Sequence, residues 1–256
     1  MTHGLSIGVV GLGYWGPNLA RNFSQSNDCR LDALCDLDLE RLEKISSMHP
    51  GVSRFSSFDL MLEETDLDAI AVATPVPSHF PLAKAALIAG KHVLVEKPLA
   101  SNVAECQELI ELAASRGLTL MVGHTFLYSE PIRMIKEIID SGDLGEIRYI
   151  NSQRLNLGLF QKDINVVWDL APHDISIILF LLGKMPDFVN CQGNAHITAG
   201  PSAAAVIVSG FPRSQRAKKP LHPAVPVPNP LPRPRVKTCC LCFPAIVKKP
   251  IAPPFP

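Results

Sequence analysis

A β-rich run, Ser6 to Val10, ends in Gly11-Leu12-Gly13-Tyr14-Trp15-Gly16, and Pro17 to Phe23 continue with helical spacing. Glycines in a G-x-G-x-x-G pattern carry little meaning alone. Placed after a strand and at the opening of a helix, they mark the first turn of a dinucleotide-binding βαβ unit. Gly11 permits the tight turn, Gly13 lets a pyrophosphate approach the backbone, and Gly16 lets the helix pack closely on the strand. The helix N-terminus then offers its free N–H groups and positive dipole end to the phosphates. Tyr14 and Trp15, inside the same loop, are counted with the glycines as cofactor-contacting residues.

The periodicity that follows repeats the alternation of strand and helix. Strands are predicted at Leu31 to Cys35, Ala69 to Ala73, Val93 to Val95 and Leu118 to Val122. Between them fall helices at Leu39 to Met48, Pro81 to Ala89 and Val103 to Arg116, the last two stopped by Gly90 and Gly117. Such alternation implies a parallel sheet with helices on both faces, the doubly wound Rossmann fold. The rhythm changes after Gly123. A helix over Ile132 to Asp140, an alternating strand over Ile147 to Arg154, an apolar helix over Leu170 to Leu182 and a strand within Phe188 to Ile197 read as the start of an α+β unit.

Charge divides the chain where this pattern fails. No Asp or Glu follows Asp187, while from Pro201 onward there are 14 of the 23 prolines and 9 of the 24 Lys and Arg residues. The segment "PLHPAVPVPNPLPRPR" cannot continue a helix and denies donors to a central strand. The expected organisation is therefore α/β: a Rossmann domain over 1–124, an incomplete α+β domain over 125–198 and a Pro-rich, basic, disordered tail over 199–256. From about Thr198 the composition has the character of translated non-coding or shifted-frame sequence, so a truncated second domain is expected. The tail lacks aromatic interleaving, and neither a nucleic-acid nor a membrane surface is read from it. Cys29, Cys35, Cys106 and Cys191 are expected as reduced thiols, and Cys239, Cys240 and Cys242 lack zinc-ligand spacing, so no metal is assigned. The N-terminus has no signal-peptide pattern and no apolar run approaches membrane-spanning length, which points to the cytoplasm.

Several polar residues leave the carboxyl ends of predicted strands, where ligands bind in open α/β sheets. Asp36, twenty residues after Gly16, is placed to accept hydrogen bonds from an adenosine ribose. The alternative is that Asp36 caps the next helix and Asp38 meets the ribose. A carboxylate there repels a 2′-phosphate, favouring NAD over NADP. Thr74, Pro75 and His79 follow one strand, and Glu96 and Lys97 another; all are candidate cofactor contacts. His79 is equally well read as a helix-start residue.

The ordered segments "GLGYWGPNLARNF", "ATPVPSHF", "GKHVLVEKPLA", "GDLGEI" and "WDLAPHDISIILFLLG" resemble the glucose-fructose oxidoreductase, inositol dehydrogenase and rhizopine-catabolism (Gfo/Idh/MocA) family over about residues 5–195. Within it, the chain is most similar to members that oxidise nucleotide-linked sugars, such as UDP-N-acetylglucosaminuronate 3-dehydrogenases. The resemblance implies a Rossmann domain followed by an open, mostly antiparallel sheet, and a catalytic lysine matching Lys97. It also implies a catalytic Asp-x-x-x-His pair matching Asp169 and His173. Four-residue spacing puts those two on one helix face if the helix starts at or before Asp169; otherwise Asp169 is the N-cap. In either arrangement Asp169 is expected to orient the imidazole. A first-turn His173 would be kept neutral by the positive helix end and accept a hydroxyl proton, with Lys97 stabilising the same oxygen. The implied function is transfer of a hydride from a secondary alcohol of a sugar, cyclitol or nucleotide-sugar to NAD. The competing expectation is a catalytically silent dinucleotide-binding protein, a remnant or redox-sensing regulator. Intact relatives are expected to associate as homo-oligomers through the outer face of the second-domain sheet.

Overall fold

A computed structural model describes residues 4–154, 166–194 and 204–210. Strands β1 (Leu5–Val10), β2 (Cys29–Cys35), β3 (Ser53–Phe55), β4 (Ala69–Val72), β5 (His92–Val95) and β6 (Leu120–Val122) form one sheet in the order β3-β2-β1-β4-β5-β6. Every pairing is parallel. Helices α1 (Gly16–Gln25), α2 (Leu39–Ser46), α3 (Phe58–Glu64), α4 (His79–Ile88) and α5 (Val103–Arg116) make the crossovers. The strand order reverses between β1 and β4, which places the crevice beside Gly11 and Thr74.

Burial on both faces explains the near-continuous apolar strands. Val10, Ile70, Val72, Val93 and Val95 face a core completed by Met61, Ala83, Leu87, Cys106 and Leu109, whereas Val9, Leu31, Leu34 and Ala71 face Ala20, Leu42 and Ile45. Adjacent residues such as Val9 and Val10 thus serve opposite layers, as the two-residue period of a strand requires. Side chains close the helix starts. Asp38 Oδ1 accepts the Arg41 N–H at 3.0 Å, and Asn102 Oδ1 accepts the Glu105 N–H at 3.0 Å.

Beyond β6 lie α6 (Glu130–Ser141), α7 (Val166–Leu182) and the antiparallel pair β7 (Phe188–Asn194) and β8 (Ala204–Gly210). No residue of α6 is buried, and Met134, Ile135 and Ile138 are exposed. Among the described residues no helix is long and apolar enough to cross a membrane.

Most predicted elements appear with ends moved by a few residues, but three expectations need correction. The alternation at Ile147 to Arg154 does not form a strand; Tyr149 and its neighbours are exposed and no described strand pairs with them. Residues 204–210, assigned by composition to the tail, instead form β8, because Ala-Ala-Val-Ile-Val is a β-favouring run before the proline-rich stretch begins. The helix carrying Asp169 begins at Val166, so Asp169 lies within its first turn and is not an N-cap. The short β3 and α3 were not read from the sequence at all. The end of the predicted strand at 195–197, the rest of the tail and the Cys239, Cys240 and Cys242 cluster lie outside the described residues.

The glycine turn carries a sharp steric test. A Cβ on Gly16 would sit 1.9 Å from the Gly11 carbonyl oxygen, whereas one on Gly13 would meet nothing within 4 Å. Gly16→Ala is expected to cost on the order of 3 kcal/mol or to prevent folding, since only backbone movement relieves the clash. Gly13→Ala should leave the thermal midpoint within about 2 °C of wild type. Thermal unfolding of both variants checks the contrast.

Candidate active site

The glycine loop has the shape of a phosphate cradle. Gly11, at φ 87°, is closed in by Ala73 and Thr74, and a Cβ there would lie 2.6 Å from the Thr74 methyl. Gly16 is packed onto Gly11, and only Gly13 faces open space. The first turn of α1 contains no acidic residue and no capping side chain, and Pro17 has no N–H to leave unpaired. A helix N-terminus without a capping side chain, beside an uncovered glycine, fits the pyrophosphate of a dinucleotide. Tyr14 is 84% exposed and Trp15 45%, and they meet edge to face at 5.8 Å on the outside of the loop.

Asp36 braces this turn from the end of β2. Its carboxylate, 8% exposed, accepts the Leu12 N–H at 2.6 Å and the Asp38 N–H at 2.8 Å. Asp38, not Asp36, caps α2, so the alternative division of labour between the two aspartates is not the one adopted. Arg41 reaches both carboxylates, 3.5 Å from Asp36 and 3.3 Å from Asp38. Each carboxylate oxygen keeps lone pairs beyond these bonds, so Asp36 retains capacity for a ribose hydroxyl.

His79 is only 1% exposed and opens α4. Its Nε2 lies 2.7 Å from the Thr74 carbonyl oxygen and its Nδ1 2.8 Å from that of Pro98. The ring therefore ties the loop after β4 to the loop after β5. Glu96 is buried, burial raises its carboxyl above the usual carboxylate range, and the Lys97 N–H at 3.3 Å opposes that shift. A Cβ on Gly123 would stand 3.0–3.1 Å from the Glu96 carboxylate, so a glycine is what lets β6 end there.

Lys97 crosses from the sheet to α7. Its Nζ donates to the carboxylate of Asp169 at 2.8 Å and to the backbone carbonyl of the same residue at 2.8 Å. The two side chains are 14% and 19% exposed. Asp169 is thus engaged by Lys97, whereas the sequence suggested that it would orient His173. The Nδ1 of His173 is buried and has no hydrogen-bond partner among the described residues. Its ring stands edge to face with Phe126, centroids 4.9 Å apart.

Electrostatics keeps this imidazole neutral. Burial lowers the His173 pKa to about 4, with the fields of Lys97, Arg154 and His124 acting in the same direction and Asp174 against them. Since α7 begins at Val166, His173 sits two turns inside the helix, and burial with nearby cations replaces the helix-end dipole as the cause. His124, at the end of β6, is also lowered to about 4, by burial and then by Lys97. The site therefore contains two neutral histidines and one ammonium at the carboxyl edge of the sheet.

His124, Phe126, Arg154 and Asp174 were not among the sequence-predicted site residues. His124 follows a predicted strand directly, the same signal that singled out Lys97, and was legible on that ground. Arg154 and Asp174 had no such signal, because their meeting depends on how α7 docks.

Comparison with known proteins agrees with this geometry. Residues 5–124 match a family model described as "Oxidoreductase family, NAD-binding Rossmann fold", and residues 132–217 match the "GFO/IDH/MocA C-terminal domain". The chain is 31% identical over 216 residues to a 1-carboxy-3-chloro-3,4-dihydroxycyclo hexa-1,5-diene dehydrogenase of Comamonas testosteroni, covering 79% of this chain and 54% of the relative. It is 31% identical over 197 residues to a UDP-N-acetylglucosamine 3-dehydrogenase of Acidithiobacillus ferrooxidans, covering 76% and 59%. The crystal structure of scyllo-inositol dehydrogenase from Lactobacillus casei, with bound NAD(H) and scyllo-inositol, superposes with a TM-score of 0.64 at 25% identity, covering 75% of this chain and 60% of that one. The chain thus spans somewhat more than half the length of these relatives. The cradle, the parallel sheet and both matched segments together assign this chain to the GFO/IDH/MocA oxidoreductase family.

Proposed function

We propose that the protein oxidises a secondary alcohol of a sugar, cyclitol or nucleotide-sugar with NAD as hydride acceptor. The observation that carries this reading is the convergence of Lys97 from the end of β5 with Asp169 and His173 from one face of α7. A nicotinamide bound along the Gly11–Gly16 loop supplies the site with a hydride acceptor. Gly11, Gly13, Gly16 and the α1 N-terminus hold the pyrophosphate, with Tyr14 and Trp15 beside it. Asp36 takes the ribose hydroxyls, and its charge disfavours a 2′-phosphate. Thr74, Pro75 and Glu96 line the same crevice.

Loss of hydride from a carbinol carbon must be matched by loss of the hydroxyl proton. His173 is the acceptor, because it is neutral at pH 7 and lies within the field of the Lys97 ammonium. Lys97 has three N–H donors and spends two on Asp169, leaving one for the substrate oxygen. That remaining donor stabilises negative charge as it develops on the oxygen. Asp169 acts through Lys97, holding the ammonium where it can point.

A second reading, dinucleotide binding without turnover, draws support from the exposed apolar side of α6. Reduced nicotinamide absorbance with a panel of cyclitols, hexoses and UDP-sugars separates the two. Silence of the folded, NAD-binding protein across the whole panel would sink the dehydrogenase reading. In the active protein, Lys97→Met is expected to keep NAD affinity within about threefold while lowering kcat by at least about a hundredfold, the scale of losing one donor to a developing oxyanion.

The histidines also predict a pH dependence of stability. In the unfolded chain both imidazoles take up protons near pH 6.5, but in the folded protein His124 and His173 do so only near pH 4. Between those values the unfolded state binds more protons, so stability is full above pH 6.5 and declines as pH falls toward 4. Urea midpoints at pH 7 and pH 4.5 should show this fall, and His173→Gln should make it shallower. An identical slope in the variant would mean that His173 is not buried in its neutral form.

A further inference from the structure

Arg154 is arranged in a way that neither the acid–base chemistry nor the cofactor cradle uses. Its Nε donates to Asp174 Oδ2 at 2.5 Å, and Ser152 Oγ donates to Asp174 Oδ1 at 2.6 Å. The guanidinium carbon lies 5.0 Å from the centroid of Phe126, whose ring contacts His173. One bond and one ring face therefore fix the plane of the guanidinium beside the proposed base. A pair built only for mutual neutralisation would set both oxygens of Asp174 against two nitrogens of the fork. Here Asp174 takes Nε alone among them, its second oxygen goes to Ser152, and the two Nη groups make no hydrogen bond to any described residue.

The pair is partly screened by water. The side chains of Arg154 and Asp174 are 29% and 21% exposed. At the His173 ring the field of Arg154 outweighs that of Asp174, and Lys97 adds to it. Two cations, Lys97 and Arg154, thus act on the imidazole, each with a carboxylate partner. A neutral polyol gains nothing from such a field; a substrate carrying a carboxylate or phosphate does.

We propose that Arg154 is an anion-recognising residue of the substrate site, its Nη groups, which no described residue engages, binding a carboxylate or phosphate oxygen carried by the substrate. The inference rests on the dehydrogenase reading for the word substrate, and narrows it to acidic sugars or sugar phosphates. Asp174 and Phe126 are positioning residues in this arrangement. They hold the fork so that little conformational freedom is lost when an anion arrives.

The test measures binding separately from turnover. Protein loaded with NADH is titrated with D-glucuronate, D-glucose 6-phosphate and D-glucose, following reduced-nicotinamide fluorescence, in wild type, Arg154→Gln and Arg154→Lys. Wild type is expected to bind one of the two anions at least about tenfold more tightly than glucose, and the preferred anion identifies carboxylate or phosphate as the group read. Arg154→Gln should weaken that anion by about 10- to 100-fold, the range for a lost hydrogen bond to a charged group, and leave glucose unchanged. Arg154→Lys should recover only part of the loss, because an ammonium lacks the fork. If the glutamine variant loses NADH affinity, the lysine variant carries the comparison. An anion preference that survives both substitutions, or wild type that binds neither anion more tightly than glucose, would overturn the proposal. Arg154-dependent anion binding with no NADH formed from NAD would instead retire the dehydrogenase reading and leave the anion site standing.

Discussion

The contact between the Lys97 ammonium and Asp169 joins the sheet to everything after it. Lys97 follows β5, a strand with β4 on one side and β6 on the other. Asp169 lies 72 residues away, and closing such a loop costs conformational entropy that only a well-made contact offsets. Bonding both the carboxylate and the carbonyl of one residue fixes where the first turn of α7 lies and also its rotation. A half-buried ion pair of this kind is weak evidence for net stability. It is stronger evidence for register, because loss of one partner would leave an uncompensated charge in a poorly hydrated place.

The state of His173 follows from that rotation. The turn of helix that brings Asp169 to Lys97 brings the residue four positions on to the same side, under the field of the same ammonium. The ammonium is also positioned from behind. His79 ties the Thr74 and Pro98 carbonyls together, and Glu96 fills the space that Gly123 leaves open. These contacts explain why residues that touch no reacting atom recur next to the site: they set the backbone from which Lys97 projects. Asp36 does the same for the glycine loop, accepting the Leu12 N–H while keeping lone pairs free.

Legibility in the sequence tracked how local the cause was. Gly11, Gly13, Gly16 and Asp36 were readable because a turn, a close approach and a strand end are decided within a few residues. Lys97 was readable for the same reason, as a charge following the apolar run His92 to Val95. The three-residue β3 was not, since Ser53–Phe55 has no period to detect and owes its pairing to β2. The alternation at Ile147 to Arg154 misled for the opposite reason: the pattern is present, but a strand needs a partner. The tail boundary failed because a count of prolines averages over Ala204–Gly210, a β-favouring run. The partner of Asp169 could not be chosen from sequence, because a four-residue spacing to His173 says which residues share a face and not what that face meets.

The parts of the function draw on stretches of chain with different structural support. The proposed dinucleotide grip comes from residues 11–36, inside a six-stranded sheet with apolar cores on both faces. The proposed acid–base groups come from that same sheet and from α7, anchored to it by Lys97. Beyond α7 the described residues provide one antiparallel pair, β7–β8, and before it lies a helix, α6, with an exposed apolar side. A two-stranded pair alone is marginally stable in water, and among the described residues no further strand pairs with β7–β8. Cofactor affinity should therefore be insensitive to whatever lies against β7–β8, whereas turnover and substrate choice should depend on it. Arg154 stands at that boundary: its backbone belongs to the irregular segment before α7, but its guanidinium is fixed by Asp174 on α7 and by Phe126 after β6. Recognition anchored in this way takes its geometry from the rigid part of the molecule, whatever packs against β7–β8.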